Sequence, residues 1–197
     1  MKRPTAEMLL NAYAQGIFPM AHEDEDWEVY WYSPDPRTIF PLDEFHIPRR
    51  LKQIVRQEVF EVRINTAFND VMLKCAEPRD KSPGIWISPY LVEAYTELHE
   101  LGFAHSVECW QDDELVGGLY GVSFRGLFAG ESMFTRVDNA SKVALVHLVE
   151  RMKERGLTLL DTQFTTDHLK RFGAREIPRT EYEELLEAAI SVDVRFA

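Results

Sequence analysis

Apolar and polar positions alternate along this chain in two different regimes. Over residues 5–15 the apolar positions Met8, Leu9, Ala12 and Tyr13 recur at helical spacing, and Gly16 supplies a stop. An acidic stretch, His22 to Trp27, reads as a loop, and the aromatic, proline-rich string Val29 to Arg37 reads as a turn. Residues 48–57, PRRLKQIVRQ, fit a short amphipathic helix. Arg49, Lys52 and Arg56 share one face of it, and Leu51, Ile54 and Val55 point the other way. Residues 59–64 alternate as a strand, and Thr66 is placed to cap a helix running through Cys75. Pro78 to Pro83 reads as a linker, dividing a small N-terminal α/β domain (residues 1–80) from a larger one (81–197).

The second half is more regular. Ser88-Pro89 forms an N-cap and N1 pair for a helix that Gly102 ends. Strands over 104–111, 114–124 and 126–131 follow, joined by Asp112-Asp113 and Arg125-Gly126 turns. Asn139 is expected to cap a long helix with apolar positions at Ala140, Val143, Ala144, Leu148, Val149 and Met152, closed by Gly156. A buried strand (157–163), a short helix (166–172), a strand (174–178) and a final helix complete the chain, with Thr180 and Glu183 spaced as a capping box. This order is similar to the GNAT-like acyltransferase fold, and the fold class expected is α+β.

Two strings break the apolar pattern. Phe128-Ala-Gly-Glu-Ser-Met-Phe134 and Leu159-Leu-Asp-Thr-Gln-Phe164 set Glu131, Ser132, Asp161 and Gln163 inside runs that otherwise read as buried strand. Burying such groups without partners costs free energy, so either they pair with the backbone or they form a site.

Composition then limits the function classes. With 45% hydrophobic and 12% aromatic residues in 197, the chain is globular. It has no apolar run near the ~20 residues that span a membrane, and no apolar stretch like a signal peptide's near Met1. Two cysteines, Cys75 and Cys109, cannot make a disulfide framework, so a cytoplasmic protein is expected. A net charge of −11 argues against a broad nucleic-acid-binding surface and leaves the 48–57 helix as a local basic patch. The histidines at 22, 46, 99, 105, 147 and 168 show no paired ligand spacing, so no metal is expected. Ser132 lacks the second glycine of a nucleophile elbow, and His168 reads as structural.

An acyl-CoA-dependent N-acetyltransferase would need a glycine-rich pyrophosphate turn ahead of the long helix. Residues 134–142, FTRVDNASK, contain no glycine and carry Asp138. The acyl donor is therefore expected not to be CoA.

Further strings run in order along nearly the whole chain: Tyr13-Ala-Gln-Gly-Ile-Phe-Pro19, Tyr32-Ser-Pro-Asp-Pro-Arg37, Phe45-His-Ile-Pro-Arg49, Trp86-Ile87, His105-Ser-Val-Glu108, Leu115 to Val122, Gly130 to Phe134, Asn139-Ala-Ser-Lys142, Leu160-Asp-Thr-Gln163 and Phe172-Gly-Ala174. The set resembles the bacterial leucyl/phenylalanyl-tRNA–protein transferase family. The resemblance implies transfer of Leu or Phe, less readily Met, from aminoacyl-tRNA to proteins with N-terminal Lys or Arg, marking them for degradation through the N-degron pathway.

It also implies residue roles. Asp161 polarises Gln163, whose carbonyl oxygen accepts a hydrogen bond from the attacking amine, and Glu131 helps hold the cationic acceptor. Leu119, Phe128, Met133, Leu145, Leu148, Met152 and Leu160 form the aminoacyl pocket, where a flexible methionine lets Leu and Phe both fit. Trp86 stacks near the terminal adenosine, and Arg49, Arg50, Lys52 and Arg56 meet tRNA phosphates. No cofactor is implied, because the ester donor is already activated, and a monomer is favoured. The chain departs from the family pattern at Met20, where many members carry Trp, and its N-terminal domain reads as cut down. A non-catalytic module that only binds N-degron substrates remains the alternative of a different class.

Overall fold

The computed structural model describes residues 3–78 and 85–197. Beyond Pro78, the linker expected at Pro78–Pro83 lies outside them. Helix α1 (Ala6–Tyr13) is capped by the Thr5 hydroxyl, which accepts the Met8 N–H, and the chain then turns at Gly16 with φ +73°. A hairpin follows, β1 (Phe18–His22) against β2 (Glu28–Tyr32), in antiparallel register from Phe18↔Tyr32 to His22↔Glu28. This corrects the expected turn over Val29–Arg37. The aromatic β-formers Tyr30, Trp31 and Tyr32 extend as a strand, and the prolines begin only after it.

The remaining strands form one seven-stranded sheet. They are β3 (Arg37–Phe40), β4 (Glu61–Ile64), β5 (Ala104–Gln111), β6 (Glu114–Phe124), β7 (Leu127–Thr135), β8 (Leu159–Gln163) and β9 (Arg175–Ile177), in the order β4-β5-β6-β7-β8-β3-β9. All neighbours are antiparallel except β7 and β8. That parallel pair needs a crossover, and α5 (Ala140–Arg155) supplies it. Strands from both sides of residue 80 share this sheet. Helices α2 (Arg49–Arg56), α3 (Phe68–Ala76), α4 (Pro89–Glu100), α6 (Asp167–Lys170) and α7 (Arg179–Ser191) complete an α+β architecture with the element order expected of an acyltransferase domain. Among the described residues no helix is long and apolar enough to cross a membrane.

Two larger cores flank the sheet, and a third, smaller one packs α7 on Ile39, Leu127 and Leu159. Of the larger two, one gathers Val107, Leu119, Phe128 and Leu160 under α5, and the other packs α1, α3 and α4 against Ala104, Tyr120 and Val122. Gly117 sets the approach of α5, since a Cβ there would collide with Ala140. Three expected caps are replaced. Thr66 gives its hydroxyl and N–H to the Glu108 carboxylate instead of capping α3. Asn139 stands at the α5 N-cap with φ +74°, and its side chain accepts from Lys142 Nζ. Pro178 precedes α7, where Glu183 pairs with Arg179. Ser88 caps α4 as expected, accepting the Leu91 N–H.

Candidate active site

The register of the parallel pair opens the site. β7 and β8 are bonded at Leu127↔Leu159, Phe128↔Leu160 and Ala129↔Asp161, and pairing stops there. β7 continues to Thr135 along β6, whereas β8 ends at Gln163. Between them lies a cleft of about 670 Å³, walled by Gly130–Arg136 on one side and by Thr162, Gln163 and Phe164 on the other. Phe18 and Met20 of β1 and Trp86 line it too, and Trp86 is anchored by its carbonyl, which accepts the Ala21 N–H.

Much of the cleft wall is apolar. Leu119, Met133, Leu145, Leu148 and Leu160 all face it, with Leu145 and Leu148 on one side of α5. Phe128 and Met152 do not. Both are fully buried behind it, Phe128 against the Phe196 ring at 5.0 Å. The four basic residues of α2 lie off the cleft, all exposed, and no described acidic side chain pairs with them. Leu51, Ile54 and Val55 turn inward as the spacing predicts.

Glu131 and Gln163 meet across the floor of the cleft. Gln163 Nε2 donates to Glu131 Oε1 at 3.1 Å, and the Tyr95 hydroxyl donates to Oε2 at 3.2 Å. Tyr95 is in turn 2.5 Å from the Tyr13 hydroxyl. Burial pushes the Glu131 carboxyl up to about 8. The negative charge of Asp161 adds to this, while the Tyr13 and Tyr95 hydroxyls and Arg37 pull it back. At neutral pH the group is thus poised to gain or lose a proton. No described residue donates to the Gln163 carbonyl oxygen, which leaves an acceptor at the cleft.

Asp161 sits behind this pair, 1% exposed and away from the cleft. Arg37 forks onto it through Nε at 2.9 Å and Nη2 at 2.6 Å. The Tyr182 hydroxyl donates to it at 3.0 Å, and the Gln163 main-chain N–H donates at 2.9 Å. Its link to Gln163 therefore runs through the backbone, not through the side-chain amide. Gln163 has φ +57°, a left-handed conformation costing a non-glycine residue about 1–2 kcal/mol. Such strain persists only where surrounding bonds enforce it. Strand alternation ends at this residue.

Arg37, Tyr13, Tyr95 and Tyr182 were not singled out from sequence. The signal available was indirect: a carboxylate inside the run Leu159–Gln163 demands a buried cation, but nothing in the spacing selects Arg37, 124 residues away. His168 also lines the cleft, its ring against Phe172 at 5.3 Å and its pKa lowered by burial and by the charges of Lys142 and Arg171.

The sheet splays at one parallel pair and sets a polar couple beside an apolar slot, which fits the acyltransferase fold class expected from the element order. Residues 39–187 match the family model for leucyl/phenylalanyl-tRNA protein transferase, and residues 3–35 match the model of that family's N-terminal domain. The chain belongs to the leucyl/phenylalanyl-tRNA protein transferase family, a family of aminoacyltransferases. It is 56% identical over 191 residues to a leucyl/phenylalanyl-tRNA–protein transferase of Phenylobacterium zucineum, covering 97% of this chain and 86% of that one. It is 55% identical over 196 residues to the protein of the same name from Herpetosiphon aurantiacus, covering 99% of each. Among solved structures it is similar to L-PGS from Bacillus licheniformis, with TM-score 0.45 and 18% identity over 83% of this chain and 61% of that one.

Proposed function

We propose that this chain, in the cytoplasm, transfers Leu or Phe, and less readily Met, from aminoacyl-tRNA to the α-amine of proteins with N-terminal Lys or Arg. The product N-terminus would mark the acceptor for degradation. The observation that carries the reading is the apolar slot formed by Leu119, Met133, Leu145, Leu148 and Leu160, which shares one cleft with the Gln163–Glu131 couple.

In this reading the donor side chain fills the slot, which places its ester carbonyl at the polar couple. The acceptor nitrogen attacks the carbonyl carbon, the bond to the ribose oxygen breaks, and the ribose hydroxyl leaves with a proton. The amine must lose a proton, and its reference pKa is about 8. The Gln163 carbonyl oxygen orients the amine, being too weak a base to hold the proton. Glu131, with a pKa of about 8, exchanges a proton with such an amine at little cost, and when ionised it attracts a cationic acceptor. Positioning contributes most of the rest. Trp86 stacks on the terminal adenosine, and Arg49, Arg50, Lys52 and Arg56 neutralise acceptor-stem phosphates, which carries little sequence preference.

The test is transfer of labelled Leu from Leu-tRNA to a peptide beginning with Arg, without ATP or CoA. Transfer is expected. A folded enzyme that transfers nothing overturns the assignment.

A further inference from the structure

We propose that Arg37 is a positioning residue for the transfer reaction: forked onto Asp161, it holds that carboxylate where it fixes the Gln163 main chain and aims the Gln163 side chain at Glu131. The inference rests on the roles given above to Gln163 and Glu131.

Four of the five N–H donors of Arg37 are taken up within the protein, and none of these bonds leads to the cleft. The side chain is 1% exposed. Its Nε and Nη2 go to Asp161, and its Nη1 donates to the Gly16 carbonyl at 2.9 Å. Its two faces are covered by the rings of Phe18, 4.9 Å from centroid to Cζ, and Tyr182, 4.5 Å. A guanidinium so far from water is tolerated only when it is paired and hydrogen-bonded in this way.

Asp161 is equally full. A carboxylate offers about four lone-pair sites, and here two bonds from Arg37, one from Tyr182 and one from the Gln163 N–H occupy them. No site is left for substrate, so Asp161 acts through Gln163. The bond from the Gln163 N–H is what steadies the left-handed φ at that residue. The same turn in the backbone lets the Gln163 amide reach Glu131. The pairing with β3 changes at the same point: consecutive Thr38 and Ile39 face Gln163 and Asp161, which leaves Thr162 as the extra, bulged residue of β8. Because Gly16 and Phe18 belong to the segment that carries Met20 into the cleft, Arg37 also ties one cleft wall to β8.

The experiment compares the wild type with Arg37→Lys, which keeps the charge and loses the fork, and with the paired neutral variant Arg37→Gln/Asp161→Asn, which leaves no charge unpartnered. Single-turnover rates of Leu transfer to an Arg-peptide are taken per Leu-tRNA-binding site titrated, so loss of folded protein does not enter. Displacing Gln163 by about 1 Å costs on the order of 100-fold. Both variants are therefore expected to lose about 100-fold in rate per site, with the KM for Leu-tRNA within threefold of wild type. A purely structural role predicts the opposite: fewer binding sites or a raised KM, with the rate per site intact. A rate per site within threefold of wild type in either variant overturns the proposal. Failure of the wild type itself to transfer Leu overturns the functional reading instead.

Discussion

The side-chain amide of Gln163 donates to the carboxylate of Glu131 at 3.1 Å, joining the end of β8 to the middle of β7 beyond the point where their pairing stops. The two residues lie on strands that have already parted. Their contact therefore spans the cleft at the level where an ester bound in the apolar slot would present its carbonyl. Glu131 brings the titratable group and Gln163 a neutral acceptor.

Glu131→Gln should abolish the pH dependence this couple confers. With its carboxyl at about 8, the wild type gains the ionised form as pH rises through that value, so the transfer rate should climb toward pH 9. The variant should be slower by about 10²- to 10⁴-fold at pH 8, the range of a lost general base, and should keep only the rise contributed by deprotonation of the acceptor amine, itself near about 8. Rates measured from pH 6 to 9 decide it. A variant with a rise as steep as that of the wild type and a rate at pH 8 within threefold of it would remove Glu131 from the proton transfer.

The same shift has a stability consequence with a definite sign. The folded-state pKa of Glu131 is raised above the unfolded value near 4.5, so the protonated carboxyl favours the folded state below that value. This contribution is lost as pH rises through about 8. Glu131→Gln has no such loss. Its melting temperature relative to wild type should rise between pH 5 and pH 8 and level off above, as thermal melts across that range would show.

Gln163→Ala and Asp161→Ala separate position from burial. Both should lower turnover while leaving Leu-tRNA binding nearly intact. Only Asp161→Ala leaves the buried Arg37 guanidinium unpaired, a loss of about 3–5 kcal/mol in comparable cases. Chemical denaturation should show that drop for Asp161→Ala and a change under about 1 kcal/mol for Gln163→Ala. Equal destabilisation by the two would contradict the arrangement.

How far the sequence carried this picture depends on the range of the interactions. Helices with local signals, such as the Ser88 cap of α4 and the inward Leu51 of α2, are legible from neighbours three or four residues away. So are the element order from α4 onward and the polar strings holding Glu131, Asp161 and Gln163, whereas β1 and β3 carry no local signal. β2 was missed because the prolines at 34 and 36 outweighed the aromatic run before them. Asn139 holds the expected N-cap position of α5, but its side chain accepts from Lys142 Nζ instead of a main-chain N–H, and Pro178 takes the N-cap position expected for Thr180. Asp161 and Gln163 lie two apart on β8, a spacing that puts both side chains on one face of a regular strand, and a left-handed Gln163 does not obey it. The partners of Asp161 come from β3 and α7, and no local pattern identifies them. Phe128 and Met152 illustrate the same limit: periodicity marks both as core without telling slot from backing.

Charge reversal on α2 tests the basic patch. Arg49, Lys52 and Arg56 are exposed. Replacing all three by Glu should raise the KM for Leu-tRNA and leave the saturated rate unchanged. If each meets one phosphate, the slope of log affinity against log salt should flatten by roughly 2–3 units. Filter binding between 50 and 300 mM salt measures it. An unaltered slope would place the acceptor stem elsewhere.

Met20→Trp makes a prediction in the direction of gain. Met20 lines the cleft with Trp86, and β1 holds it by pairing with Tyr30 of β2, so a larger side chain there projects from a fixed backbone. A thioether offers the terminal adenine little stacking surface, whereas an indole stacked on a base contributes about 1–3 kcal/mol. The gain should appear in donor affinity and not in chemistry, because position 20 touches neither Glu131 nor Gln163. Met20→Trp should therefore lower the KM for Leu-tRNA by about fivefold or more at unchanged saturated rate, and Trp86→Ala should raise it by a similar factor. If adenine occupies this end of the cleft, the double variant Met20→Trp/Trp86→Ala should return part of the loss. A Met20→Trp enzyme with unaltered or raised KM would place the adenosine away from the Met20–Trp86 wall, and steady-state kinetics over a range of Leu-tRNA concentrations distinguish the two.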